Sequence, residues 1–138
     1  VTLFDNLIPL FLGVPPDQCG MLGQCRPQQV VEGDGAVYPC DFYVLDRYRC
    51  GNVRENTLRE LEESPAAREF LAGERRSFRG CAACRWRPFC GGGCKRLSAA
   101  YFNDRFCAYQ QFLDYASPRM RQVAQALRQS KGTGGIVF

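Results

Sequence analysis

The chain has 138 residues, 46% hydrophobic and 23% charged, which is the size and balance of one globular domain. Its formal charge of +4 comes from 16 Arg and 2 Lys against 14 acidic residues; the arginines form no block, which argues against nucleic acid, and nothing resembles the roughly 20 apolar residues of a membrane span. It has nine cysteines and no histidine, which excludes Cys/His zinc fingers, Rieske-type ligation and any Ser-His or Cys-His catalytic pair within the chain.

In chain order, residues 3–12 predict a helix, with Leu3, Phe4, Leu7, Ile8, Phe11 and Leu12 at helical spacing and Pro9 set to kink or shorten it. This apolar opening contains Asp5, Asn6 and Pro9, and it lacks the basic start of a signal peptide. The first residue is not Met, as expected of a piece excised from a longer polypeptide. Val30-Val31-Glu32 and Ala36-Val37-Tyr38 flank Gly33-Asp34-Gly35, which predicts a β-hairpin leading into Pro39-Cys40-Asp41. Residues 56–73 read as helical: Asn56 is placed to cap Leu58–Glu62, Ser64-Pro65 restarts a helix, and Gly73 stops it. Ala108–Ala116 predicts another helix. Ser117-Pro118 opens one more, with Met120, Val123, Ala124 and Leu127 on one face, and Lys131 onward reads as a frayed tail.

The cysteines stand at 19, 25, 40, 50, 81, 84, 90, 94 and 107. Cys81-Ala-Ala-Cys84 followed by Cys90-Gly-Gly-Gly-Cys94 is a CxxC-x₅-CxxxC run. CxxC is a short chelate loop that turns two sulfurs toward one metal centre. Gly91–Gly93 have no side chains, so the backbone can wrap closely, and their N–H groups can donate to anionic sulfur. With no histidine nearby, metal chemistry here is thiolate chemistry. Disulfides, two four-cysteine zinc sites and inert thiols compete with iron–sulfur clusters, and spacing alone does not exclude zinc. Two four-iron clusters with four thiolates each would contribute about −4, which offsets the arginine excess. Cys50 stands alone and reads as a small apolar filler.

Cys19-Gly-Met-Leu-Gly-Gln-Cys25, Val31-Glu-Gly-Asp-Gly-Ala-Val-Tyr-Pro-Cys40-Asp-Phe-Tyr-Val, Gly51-Asn-Val, the CxxC-x₅-CxxxC run and Cys107 together resemble the SPASM domain of radical S-adenosylmethionine enzymes, in particular the anaerobic sulfatase-maturating enzymes. The resemblance spans about residues 19 to 107. It implies an α+β fold: a small domain with a β-hairpin and several helices wrapped around two four-cysteine clusters of the [4Fe–4S] type. It implies a first cluster on Cys19, Cys25, Cys40 and Cys94, and a second on Cys81, Cys84, Cys90 and Cys107. The Cys94 crossover follows the habit of two-cluster proteins in which one Cys of a run serves the other cluster, and metal binding and folding are then coupled.

The resemblance divides the chain into residues 1–16, a connecting helix from an N-terminal radical barrel; 17–116, the SPASM domain; and 117–138, a C-terminal helix and tail. S-adenosylmethionine would be used only through that barrel, because this chain lacks the CxxxCxxC motif and should be inactive alone. In the family, a Cys or Ser of an unfolded sulfatase peptide is oxidised to formylglycine. The clusters carry electrons to or from an external partner and shape the substrate pocket. Asp41 matches the aspartate placed there to deprotonate the substrate, against the plainer reading of a surface carboxylate or cap. Tyr38, Phe42 and Tyr43 either line a peptide groove or pack. Other peptide-modifying SPASM enzymes and a free-standing four-cysteine zinc or electron-transfer module are the rivals, with zinc a substitute in an isolated fragment. A cytoplasmic location is expected, with no membrane or nucleic-acid partner.

Overall fold

The computed structural model describes residues 1–75 and 77–132, the side chain of Lys131 aside. The chain forms two compact units, one made of Cys25–Arg75 and the other of residues 1–24 with the stretch after 76. Among the described residues no helix is long and apolar enough to cross a membrane.

In the first of these units the expected hairpin is present. Strand β1 (Val30–Val31) pairs antiparallel with β2 (Ala36–Tyr38), Val30 opposite Tyr38 and Val31 opposite Val37. A third strand, β3 (Gly51–Asn52), pairs with the other edge of β2, so the order is β1-β2-β3. Two residues are too short for an alternating pattern, and β3 leaves no signal in the sequence. All three residues of β2 are buried, as a central strand requires. Helix α2 (Leu58–Glu62) is capped by Thr57, not Asn56. Thr57 Oγ1 accepts from Glu60 N at 3.3 Å while Glu60 Oε2 accepts from Thr57 N at 2.7 Å, a reciprocal capping box. Asn56 instead accepts from Asn52 N and closes the turn after β3. Helix α3 (Pro65–Ala72) starts as expected, with Ser64 accepting from Ala67 N and Pro65 in its first turn, and Gly73 caps its end. Its Phe70 is buried against Tyr43 and Tyr48 in edge-to-face contacts, and Arg47 beside Tyr48 pairs with Glu69.

In the other unit, helix α1 (Thr2–Leu10) ends within two residues of its expected stop and only one residue past Pro9, which limits its length. Its Leu7 joins Met21, Trp86, Leu113 and Met120 in one apolar cluster, with Phe11, Phe89 and Phe112 packed around it. Short helices α4 (Arg87–Cys90) and α5 (Ser98–Tyr101) precede the long α6 (Ala108–Gly132). Here the structure corrects the two-helix expectation, because Pro118 lies inside one continuous helix. A proline removes one i→i−4 bond and bends a helix. Leu113, Ser117, Met120 and Ala124 are buried on both sides of it, so burial carries the helix through. Val123 and Leu127, expected on the same buried face, are exposed. The helix also continues past Lys131; the rest of the expected tail lies outside the described residues. Trp86 is 4% exposed and its Nε1 donates to Asp114 Oδ1 at 2.7 Å, fixing α6 against the start of α4.

Candidate metal centre

None of the nine cysteines forms a disulfide. Four of them, Cys81, Cys84, Cys90 and Cys107, lie in one electrostatic neighbourhood. Burial pushes the Cys90 thiol up, the Gly92 N–H pulls it back, Cys107 and Cys84 raise it again, and Arg87 lowers it. Burial likewise raises Cys107, with the Gln110 N–H opposing and Cys81 and Cys84 adding to the rise. Cys90 and Cys107, raised by burial and by the neighbouring sulfurs, are thiols whose ionisation a cationic core would favour. Backbone amides already point at two of these sulfurs: Gly92 N donates to Cys90 Sγ and Gln110 N to Cys107 Sγ, each at 3.4 Å. Such N–H···S contacts stabilise anionic sulfur.

The linker between Cys90 and Cys94 explains its three glycines. Gly91, Gly92 and Gly93 have φ of 55°, 92° and 73°, all in the left-handed region. A Cβ on Gly91 would lie 2.3 Å from Met21 O and 2.4 Å from Gly23 N, so this loop rests directly on the turn that carries Cys19. That turn, Cys19–Met21, makes a second close approach: a Cβ on Gly20 would lie 2.9 Å from Cys94 N. The Cys94 backbone is therefore packed against the Cys19 segment. Phe102 and Tyr109 pave the other side, 3.3 Å from where a Cβ on Gly93 would sit. Tyr109 is held as a neutral phenol, its pKa pushed up to about 12 by burial first, then by Tyr101, Cys90, Cys94 and Cys107.

In the hairpin unit, the sheet delivers Cys25 and Cys40. Beyond Val30–Tyr38 the ladder gains one more bond, Gln28 N to Pro39 O at 2.8 Å, which brings the segment after Cys25 beside the end of β2. Cys40 leaves β2 in extended conformation and opens a tight turn, Asp41–Tyr43. Cys40 Sγ donates to Asp41 Oδ1 at 3.3 Å, and the same oxygen accepts from Phe42 N at 3.0 Å. Asp41 is exposed. Tyr38 and Tyr43 pack, Tyr38 buried and Tyr43 on Phe70, whereas Phe42 is 48% exposed. Arg75, at the other end of this unit, donates from Nη2 to Cys25 Sγ at 3.7 Å. Cys50 stays with the sheet, its N–H donating to Val37 O at 2.7 Å and its thiol to Tyr48 O at 3.5 Å.

The donor set suits iron–sulfur chemistry: eight thiols besides Cys50, no imidazole, amide and guanidinium donors at the sulfurs, and a side-chain-free loop between two of them. Among the described residues no three His, Cys, Asp or Glu side chains are arranged to hold a metal ion. A lone zinc about 2.3 Å from each sulfur would draw the four together, so zinc gains no support.

The model of the SPASM family, an iron–sulfur cluster-binding domain, matches residues 21–85. The chain carries a SPASM domain. It is 40% identical over 134 residues, 93% of its length, to a cysteine-type anaerobic sulfatase-maturating enzyme of Clostridium perfringens strain ATCC 13124. It is 26% identical over 145 residues, covering 99% of the chain, to a serine-type anaerobic sulfatase-maturating enzyme of Bacteroides thetaiotaomicron. Among solved structures it matches native anSMEcpe with bound AdoMet and Cp18Cys peptide at a TM-score of 0.75 and 38% identity, over 90% of this chain and 36% of that one. The α+β SPASM fold expected from the sequence is thus present. This SPASM chain spans about a third of the length of the curated relatives, 36% and 35% of the two.

Sequence reasoning missed Arg75, Arg87 and Tyr109. The excess of arginine signalled basic residues near anionic sites, but nothing in the sequence singled out these positions.

Proposed function

We propose that this SPASM domain belongs to a radical S-adenosylmethionine enzyme that oxidises a cysteine of a sulfatase peptide to formylglycine. Two [4Fe–4S] clusters are held on Cys19, Cys25, Cys40 and Cys94, and on Cys81, Cys84, Cys90 and Cys107. When bound, each supplies a one-electron acceptor near the peptide. The rest of the polypeptide supplies the barrel and the deoxyadenosyl radical, which takes a hydrogen atom from the substrate Cβ. The substrate must also lose its S–H proton and one electron to become a thioaldehyde, which water then hydrolyses to the aldehyde with loss of sulfide. Asp41 takes that proton. It is exposed, no histidine competes for the role in this chain, and its Oδ1 lies 3.3 Å from Cys40 Sγ, so proton and electron leave the substrate toward the same turn. That adjacency is the observation that carries the reading. The higher identity to the cysteine-type relative, 40% against 26%, favours cysteine over serine as the target.

The test is made in the full-length protein, loaded anaerobically. Asp41→Asn is expected to keep its iron and its cleavage of S-adenosylmethionine while formylglycine formation falls at least about 100-fold. Product formation near the wild-type rate would remove Asp41 from the reaction. The two sets of four cysteines in this domain should hold about eight irons, whereas stoichiometric zinc after loading would discard the cluster reading.

A further inference from the structure

We propose that Arg75 sets the reduction potential of the first cluster by donating its guanidinium to the Cys25 thiolate; this rests on the assignment of Cys25 as a ligand. Arg75 is half-buried, and Nη2 lies 3.7 Å from Cys25 Sγ, within reach of an N–H···S contact. The two residues are 50 apart in sequence and are the last and first of their unit. The arginine is delivered by a fixed element. Helix α3 is anchored through buried Phe70 on Tyr43 and Tyr48, and its stop at Gly73 is hydrogen-bonded to Glu69 O at 3.0 Å, two residues before Arg75.

The second set of sulfurs is served differently. Cys90 and Cys107 receive their hydrogen bonds from backbone N–H groups, with Arg87 acting on Cys90 through its charge alone, whereas the donor to Cys25 is itself a cation. Hydrogen bonds to cluster sulfurs and local charge are two of the levers that set such potentials. When a four-thiolate [4Fe–4S] cluster takes up one electron, its net charge passes from about −2 to about −3. A cation at a ligand sulfur favours the more negative state and so raises the potential. An opposing charge in this unit is Asp41, whose carboxylate lies beside Cys40 and favours the oxidised state. Arg75 offsets it and keeps the first cluster ready to accept the electron that substrate oxidation releases.

The experiment is a mediated redox titration of the anaerobically loaded full-length protein, followed by electron paramagnetic resonance that resolves the clusters. Arg75→Met is expected to lower the reduced-to-oxidised ratio of the first cluster at least about tenfold at a fixed ambient potential. For a one-electron couple that is a fall of about 59 mV. The second cluster should not move. Arg75→Lys and Arg75→Gln, which keep a donor, should fall between wild type and Arg75→Met and serve if Arg75→Met loses iron. A first-cluster midpoint that is unmoved in iron-replete variants makes Arg75 a clasp between the ends of its unit and overturns the proposal. So does loss of the first cluster in all three. Cys25→Ala tests the underlying assignment separately: it should lose about four irons, and full iron retention would discard Cys25 as a ligand whatever the Arg75 variants show.

Discussion

The sharpest structural test lies at Gly91, because its surroundings offer no room for relaxation. Gly91→Ala places a Cβ 2.3 Å from Met21 O, 2.4 Å from Gly23 N and 2.6 Å from Met21 C. All three are backbone atoms, so no side chain can rotate away; the two loops must part. The left-handed φ of 55° adds about 1–2 kcal/mol for any residue with a Cβ. The sum belongs with the most damaging substitutions, above about 4 kcal/mol. Gly13→Ala is the matched control. Gly13 also has a left-handed φ, 80°, but nothing lies within 4 Å of where its Cβ would be, so it should cost only the backbone penalty of about 1–2 kcal/mol. Gly91 lies between Cys90 and Cys94, one from each proposed ligand set, so parting the loops should weaken both clusters. The assay is iron retained in the domain by the loaded protein under chelator challenge, with the temperature at which cluster absorbance is half lost. Gly91→Ala should lose more than half of the domain's iron under conditions where Gly13→Ala keeps about eight. Equal retention and equal melting in the two variants would show that the close approach to Met21 has no energetic weight.

Two further variants test the ligand partition. Cys94→Ala should remove the same cluster as Cys19→Ala, since Gly20 packs directly on the Cys94 backbone; loss of the cluster that Cys81→Ala removes, with Cys19→Ala sparing it, would break the partition. Cys50→Ala should leave iron content unchanged and cost about 1 kcal/mol for its weak thiol contact to Tyr48 O; iron analysis with thermal melting checks it, and loss of about four irons would make Cys50 a ligand.

What could be read from the sequence depended on how local the cause was. The hairpin, the Ser64-Pro65 restart and the Gly91–Gly93 loop each follow from neighbours a few residues apart, and each is present. The Thr57 cap shows the limit of such reading: Asn56 and Thr57 are both good caps, and Asn56 is drawn away by the Asn52 amide after a strand that the sequence does not mark. Pro118 shows another. As a local signal it ends a helix, but four buried side chains spread over about three turns hold it inside one. The metal centre divides in the same way. CxxC and CxxxC are chelate loops whose chemistry is legible in the spacing, whereas the donors that tune their sulfurs are not. Gly92 and Gln110 reach sulfur through the backbone, which any residue carries. Arg75 reaches Cys25 across 50 residues, through a helix packed on a tyrosine pair and a stop at Gly73. A guanidinium brought to a thiol by tertiary packing is invisible to spacing, yet it acts on the electron that the proposed reaction must move. Residues that set a redox potential are therefore to be sought among the contacts of the sulfurs rather than among the motifs that supply them.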